Sequence, residues 1–161
     1  MGGRNAFKLE FPGIPENVEF ARVTVACFAS QLGGFTLEEL DDIRLVTSEA
    51  VSNAIIHGYH EHAGPVYISG SICDGALEVI VEDKGRGIED IEKARQPAYT
   101  TSPDRLGMGL TIIEALVDEL IILSEPGNGT RLIMRKQPAH EAHDGSHAKR
   151  CGEGSGKAYE F

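Results

Sequence analysis

Four short stretches carry the residue types that could do chemistry. Glu49 and Asn53 stand four apart within Ser48-Glu49-Ala50-Val51-Ser52-Asn53-Ala54-Ile55-Ile56-His57-Gly58. On a helix that spacing puts both side chains on one face. A carboxylate beside a carboxamide is an oxygen donor set suited to Mg²⁺, or a general base beside a metal ligand. A solvated helix edge has the same appearance. Asp83-Lys84-Gly85-Arg86-Gly87 follows an apolar run. Its glycines let backbone approach a ligand closely, and an Asp leaving a buried strand can accept from an exocyclic amine such as that of adenine. Taken alone, the stretch is equally a plain loop, and it lacks the later ligands of an EF-hand. Gly107-Met108-Gly109-Leu110 opens an apolar helical pattern, where free N–H groups and the positive end of the helix dipole would face phosphate. It is also what a hinge looks like, and it lacks the Lys-Ser/Thr ending of a Walker A loop. Gly129-Thr130 begins the last strand and by itself reads as a turn followed by a β-branched residue.

These residues need elements to hold them. Lys8-Leu9-Glu10-Phe11 alternates and predicts a short strand, stopped by Pro12-Gly13. Pro15 opens a predicted helix to about Leu32, with Val18, Ala21, Val25, Phe28, Ala29 and Leu32 near one face and Gly33-Gly34 ending it. Thr36 with Glu39 predicts a capping box and a second helix to about His57, closed by Gly58. Ile43, Val46, Ala50 and Ala54 form its apolar stripe, which leaves Glu49 and Asn53 at the rim of the core. Runs 66–73 and 76–81 predict strands joined by a hairpin at Asp74-Gly75.

A short helix is expected around 91–95, then a mobile loop over 96–106 containing Pro97 and Pro103, then a helix over 107–117. Runs 120–124 and 130–136 predict two more strands, joined by the turn Glu125-Pro126-Gly127-Asn128-Gly129. Residues 1–136 thus make one domain, and 137–161 read as a disordered Gly, His and Ser-rich tail. The order β-α-α-β-β-loop-α-β-β predicts an α+β fold, a two-layer α/β sandwich on a mixed, mostly antiparallel sheet. Alternating βαβ units are lacking, which disfavours a Rossmann sheet.

Composition narrows the function classes. The chain has 161 residues, 41% hydrophobic and 25% charged, which suits a folded domain. A net charge of -10 disfavours direct nucleic-acid binding and docking on an anionic membrane. No apolar run reaches the ~18–20 residues of a spanning helix. Cys27, Cys73 and Cys151 lack CxxC spacing; Cys27 and Cys73, in apolar segments, read as buried thiols in a reducing cytoplasm. His57 reads as a helix end, and His140, His143 and His147, although spaced like a metal set, lie in the tail.

Together and in this order, the four pieces resemble the GHKL ATPase family. The resemblance implies the Bergerat fold, with ATP or ADP held between a helix layer and the sheet. Phe20-Ala21-Arg22-Val23-Thr24-Val25-Ala26, Ser48 to Tyr59, Glu92-Lys93-Ala94-Arg95-Gln96-Pro97 with Thr100-Thr101, and Gly107-Met108-Gly109 resemble a narrower group, the sporulation anti-sigma F factors, over roughly residues 5–136. That resemblance implies a cytoplasmic serine-protein kinase that inhibits a sigma factor and phosphorylates an anti-anti-sigma protein. It implies Glu49 as the catalytic base, Asn53 as the Mg²⁺ ligand, and Asp83 as the reader of the adenine amine with Thr130. Gly85, Gly87 and Ile88 would line the base. Thr100, Thr101, Arg105, Gly107, Met108, Gly109 and Leu110 would lie along the phosphates and the lid. Arg22 would contact the sigma factor, and a homodimer would form through the first strand and helix. A general-stress type of anti-sigma kinase shares all four pieces, and a nucleotide-gated sigma-binding module without catalysis is the remaining alternative. No upstream dimerising helix pair with a phospho-acceptor His is evident, which disfavours a two-component histidine kinase.

Overall fold

The computed structural model describes residues 5–59, 62–97 and 108–139. Strand β1 (Asn5–Pro12) leads into helix α1 (Glu16–Ala29), whose last turn tightens to 3-10 geometry over Ser30–Leu32. Helix α2 (Leu37–Asn53) begins at the expected capping box: Thr36 accepts from the Glu39 N–H at 3.1 Å, and Glu39 accepts from the Thr36 N–H at 2.8 Å. Strands β2 (Pro65–Cys73) and β3 (Ala76–Asp83) follow, then the short helix α3 (Ile91–Ala94), helix α4 (Gly109–Leu116), and strands β4 (Glu119–Glu125) and β5 (Gly129–Lys136).

The five strands form one sheet in the order β1-β2-β3-β5-β4, and every neighbouring pair is antiparallel. Two tight hairpins impose this on four of the strands. At the first, Asp74 and Gly75 both take positive φ (51° and 72°), as a two-residue turn matching the strand twist requires.

The sheet buries one face. Val66 and Ile68 of β2, Leu77, Val79 and Val81 of β3, and Leu132 and Met134 of β5 point inward at alternate positions. They pack in one cluster with Val25, Phe28, Ile43, Val46, Ala50 and Ile113 from the helices. Each such aliphatic side chain removed from water contributes about 1.5–3 kcal/mol, so this face fixes the register of every strand. Helix α2 lies between α1 and α4 and packs on both. The two-layer α+β sandwich is therefore as expected, but the sheet is wholly antiparallel rather than mixed, and the helix stripe of α2 sits where the 3.6 period puts it.

Three local readings differ. The second helix does not stay α-helical to His57, because Ala54–Gly58 widens into a π turn, closed by Tyr59 N–H donating to the Ala54 carbonyl. Cys27 is exposed rather than buried, since it falls between the inward positions 26 and 28 on the outer side of α1. Cys73 is half-buried rather than buried. Beyond β5, the backbone of Gln137 donates to Asp118 and that of Ala139 to Glu39, so the chain stays against the helix layer to 139. The rest of the tail, including the three tail histidines and Cys151, lies outside the described residues, as does most of the loop over 96–106.

Candidate functional site

The inward row of β3 reads Leu77, Val79, Val81, Asp83: three apolar residues and then a carboxylate at the strand end. Alternation aims Asp83 at the helix layer, where it is 4% exposed. Glu82 and Lys84 face the other way and pair with each other, with Arg131 completing the cluster around Glu82. Burial raises Glu82, but its hydrogen bonds to Lys84 and Arg131 outweigh that and hold it below the usual carboxylate range. Burial pushes the pKa of Asp83 up to about 6, against the opposing effect of hydrogen bonds from the backbone of Gly85 and Thr130. The Gly85 N–H donates to Asp83 Oδ1 at 2.9 Å. Across the sheet Asp83 pairs with Thr130, whose hydroxyl is 2.8 Å from Ser124 Oγ, and Ser124 Oγ accepts from the Ile88 N–H at 2.8 Å.

The π turn closes over this end of the sheet. A β-carbon at Gly58 would lie 2.7 Å from Asp83 Oδ1, and one at Gly85 would lie 2.1 Å from the Gly58 carbonyl oxygen. Both glycines are therefore required by close approach. The Gly58 carbonyl accepts from the Arg86 N–H at 3.0 Å, which ties the loop to the end of α2. Gly87 and Gly129, at φ 72° and 85°, make the matching approaches to the backbone of Glu125 and Asp83.

At the other end, α4 starts against α2. A β-carbon at Gly109 would sit 2.9 Å from Glu49 Oε2 and 3.2 and 3.3 Å from the two amide atoms of Asn53. The bare Gly109 leaves that carboxylate and carboxamide uncovered beneath a helix N-terminus, whose dipole favours negative charge. Both residues are half-buried at the rim of the core. About 13 Å of helix separates Glu49 from Gly58. The cleft floor thus carries a buried carboxylate acceptor at one end and a polar pair under helix N–H groups at the other. An elongated ligand with an amine at one tip and an anion at the other fits this polarity.

Asp83, Gly85, Gly87, Ile88 and Thr130 gather at one end of this stretch, and Glu49, Asn53 and Gly109 gather at the other. Met108 stands exposed at its edge, while Leu110 turns into the core. Thr100, Thr101, Arg105 and Gly107 lie outside the described residues. Arg22 belongs to a different surface, on the outward side of α1, ion-paired with Glu19 and next to the exposed Phe20 and Val23. Sequence reasoning undervalued Gly58, read as a helix end, and gave Ser124 no role. The packing of Gly58 on Asp83 has no local signal, and Ser124 becomes visible only once β4 is paired with β5.

The family model of the histidine kinase-like ATPase domain matches residues 11–136. The anti-sigma F factor of Clostridium acetobutylicum is 51% identical over 135 residues, covering 83% of this chain and 94% of that protein. That of Shouchella clausii is 48% identical over 136 residues, covering 83% and 92%. Among solved structures, the RsbU and RsbW domains of Rv1364c from Mycobacterium tuberculosis align with a TM-score of 0.60 at 22% identity, over 83% of this chain and 32% of that one. Full-length ShkA, solved in complex with AMPPNP, aligns at 0.51 and 20% identity over 76% and 30%. At those identities the structural likeness speaks for the fold alone. The chain belongs to the histidine kinase-like ATPase domain family and, within it, to the anti-sigma F factors.

Proposed function

We propose that this chain is an anti-sigma factor and an ATP-dependent serine kinase, which captures a sporulation sigma factor and phosphorylates an anti-anti-sigma protein. The observation that carries the reading is the convergence of Glu49 and Asn53 beneath the bare Gly109, at the opposite end of the cleft from Asp83. The names of the relatives support the sigma-binding half.

In this reading the adenine amine donates to the Asp83 carboxylate, and Gly58, Gly85 and Gly87 leave room for the ring. The phosphates extend toward α4, whose first N–H groups donate to the phosphate oxygens. Thr100, Thr101, Arg105 and Gly107 are assigned to the phosphate end from the sequence resemblance. Glu49 accepts the proton of the substrate serine as its Oγ bonds to the γ-phosphorus. The bond from that phosphorus to the bridging oxygen breaks, and ADP leaves with the electron pair. Phosphoryl transfer depends mainly on such positioning and on charge neutralisation.

A divalent cation suits the donor set. Asn53 and Glu49 offer hard oxygen ligands, and the missing Cβ of Gly109 leaves space beside them. Among the described residues no cluster of three His, Cys, Asp or Glu is present. Mg²⁺ would be held by Asn53 together with phosphate and water, and it would neutralise phosphate charge. Arg22, with Phe20 and Val23, is assigned to the sigma-binding face, and the chain to a homodimer. No helix among the described residues is long and apolar enough to cross a membrane.

Incubation with labelled ATP and an anti-anti-sigma protein, with parallel co-purification of sigma factors in ATP and ADP, tests both halves. Phosphoserine on the acceptor and nucleotide-dependent sigma capture are expected. Sigma capture without any phosphoserine would leave a nucleotide-gated binding module in place of a kinase.

A further inference from the structure

The loop that carries Asp83 is tied to the helix layer by two hydrogen bonds, and one of them ends on a side chain. The Lys84 N–H donates to the Tyr59 hydroxyl at 2.7 Å, and that hydroxyl donates in turn to the Pro65 carbonyl at 2.7 Å. Tyr59 is the first residue after the π turn, and its ring rests on Gly64, where a β-carbon would come within 2.1 Å of it. Burial raises the hydroxyl above its usual pKa, so it keeps its proton at neutral pH and donates while it accepts.

The peptide unit between Asp83 and Lys84 is thereby held at both ends. Its N–H is fixed by Tyr59, and its carbonyl is pressed against Gly129, where a β-carbon would lie only 2.0 Å away. That peptide sets the direction in which the Asp83 side chain leaves the strand. Asp83 is the last paired residue of its strand, opposite Val66 and Thr130, so the peptide that follows it is the first one held by Tyr59 rather than by the ladder.

We infer that Tyr59 is a positioning residue for recognition of the nucleobase: its hydroxyl, bridging the Lys84 N–H and the Pro65 carbonyl, holds the Asp83 peptide in the orientation that presents the carboxylate to an exocyclic amine. This rests on the nucleotide reading of the cleft. It assigns part of the selectivity for an amine-bearing purine to Tyr59, in the connection between α2 and β2.

Tyr59→Phe in the full chain removes both hydrogen bonds and keeps the ring. Calorimetric ADP affinity is expected to fall about tenfold, as the loss of one to two ordinary hydrogen bonds implies. Discrimination between ADP and GDP should shrink, while affinity for inorganic tripolyphosphate stays unchanged. With acceptor protein present, KM for ATP should rise and kcat stay level. Tyr59→Leu, which loses the ring as well, should lower the melting temperature clearly, whereas Tyr59→Phe should lower it by much less. The inference is overturned if Tyr59→Phe binds ADP within twofold of wild type, weakens tripolyphosphate equally, or melts as low as Tyr59→Leu. Asp83→Asn separates the two levels: if it also leaves ADP binding intact, the nucleotide reading itself has failed, and not only the role of Tyr59.

Discussion

Gly58 packs directly on the carboxylate of Asp83: a β-carbon at position 58 would stand 2.7 Å from Oδ1 and 2.8 Å from Cγ. The π turn produces this contact by widening the end of α2 just where it meets the sheet. Single π turns are frequent at functional sites, and here the widening joins the Asp83 end of the site to the helix that carries Glu49 and Asn53.

Gly58→Ala and Gly85→Ala should separate binding from stability. At position 58 the added methyl meets a side-chain carboxylate, which can rotate away, so ADP affinity should fall at least about tenfold while folding loses less than about 1 kcal/mol. At position 85 it meets the backbone of Gly58 and nothing can rotate, so a loss of about 1–3 kcal/mol in stability is expected. Calorimetry of ADP binding and urea melts of both variants check the contrast.

The raised pKa of Asp83 gives two pH effects of opposite sign. Its folded value of about 6 lies above the ordinary 3.8. The contribution of this group to folding is therefore fully present below the unfolded value and is lost as pH rises through about 6. Ligand binding runs the other way, because an amine donor favours the carboxylate. ADP affinity should weaken as pH falls through about 6, and Asp83→Asn should flatten that profile. Binding isotherms between pH 5 and pH 8, set against melts of the free protein, read both.

Thr36→Ala breaks the capping box and should cost about 1 kcal/mol. Glu39 serves that box through Oε2 and holds the Ala139 N–H through Oε1, so Glu39→Ala should also release Ala139 while Asp118 keeps Gln137 in place. Urea melts give the first quantity, and amide exchange at 137–139 gives the second.

Much of this was legible in the sequence, for identifiable reasons. Ile43, Val46, Ala50 and Ala54 are buried because the 3.6 period is a property of the helix itself, and Asp74-Gly75 makes its hairpin because few residue pairs accept positive φ twice. The meeting of Gly109 with Glu49 and Asn53 agrees with the order of motifs that carries the family resemblance. The π turn was not, since an i→i+5 bond demands no special residue type. The exposure of Cys27 was missed because neighbours in sequence do not share a helix face. Tyr59 acts through Lys84 and Pro65, contacts that exist only once β2 and β3 are paired.

Arg22→Ala should weaken sigma-factor capture at least about tenfold and leave ADP affinity unchanged, because Arg22 lies on the outer side of α1 and not in the cleft. Pull-down titration against a sigma factor, with calorimetry of ADP on the same preparation, checks this. Equal loss of both activities would indicate a folding defect in α1.

The most direct test of the kinase reading is Glu49→Gln, measured for ATP affinity and for phosphoserine formation on an anti-anti-sigma protein. Removing a general base while keeping the side-chain shape should lower the transfer rate at least about a hundredfold, with ATP affinity within a few-fold of wild type. Transfer at the wild-type rate by Glu49→Gln would contradict the assignment of the base, and with it the mechanism built on the Glu49–Asn53 end of the cleft.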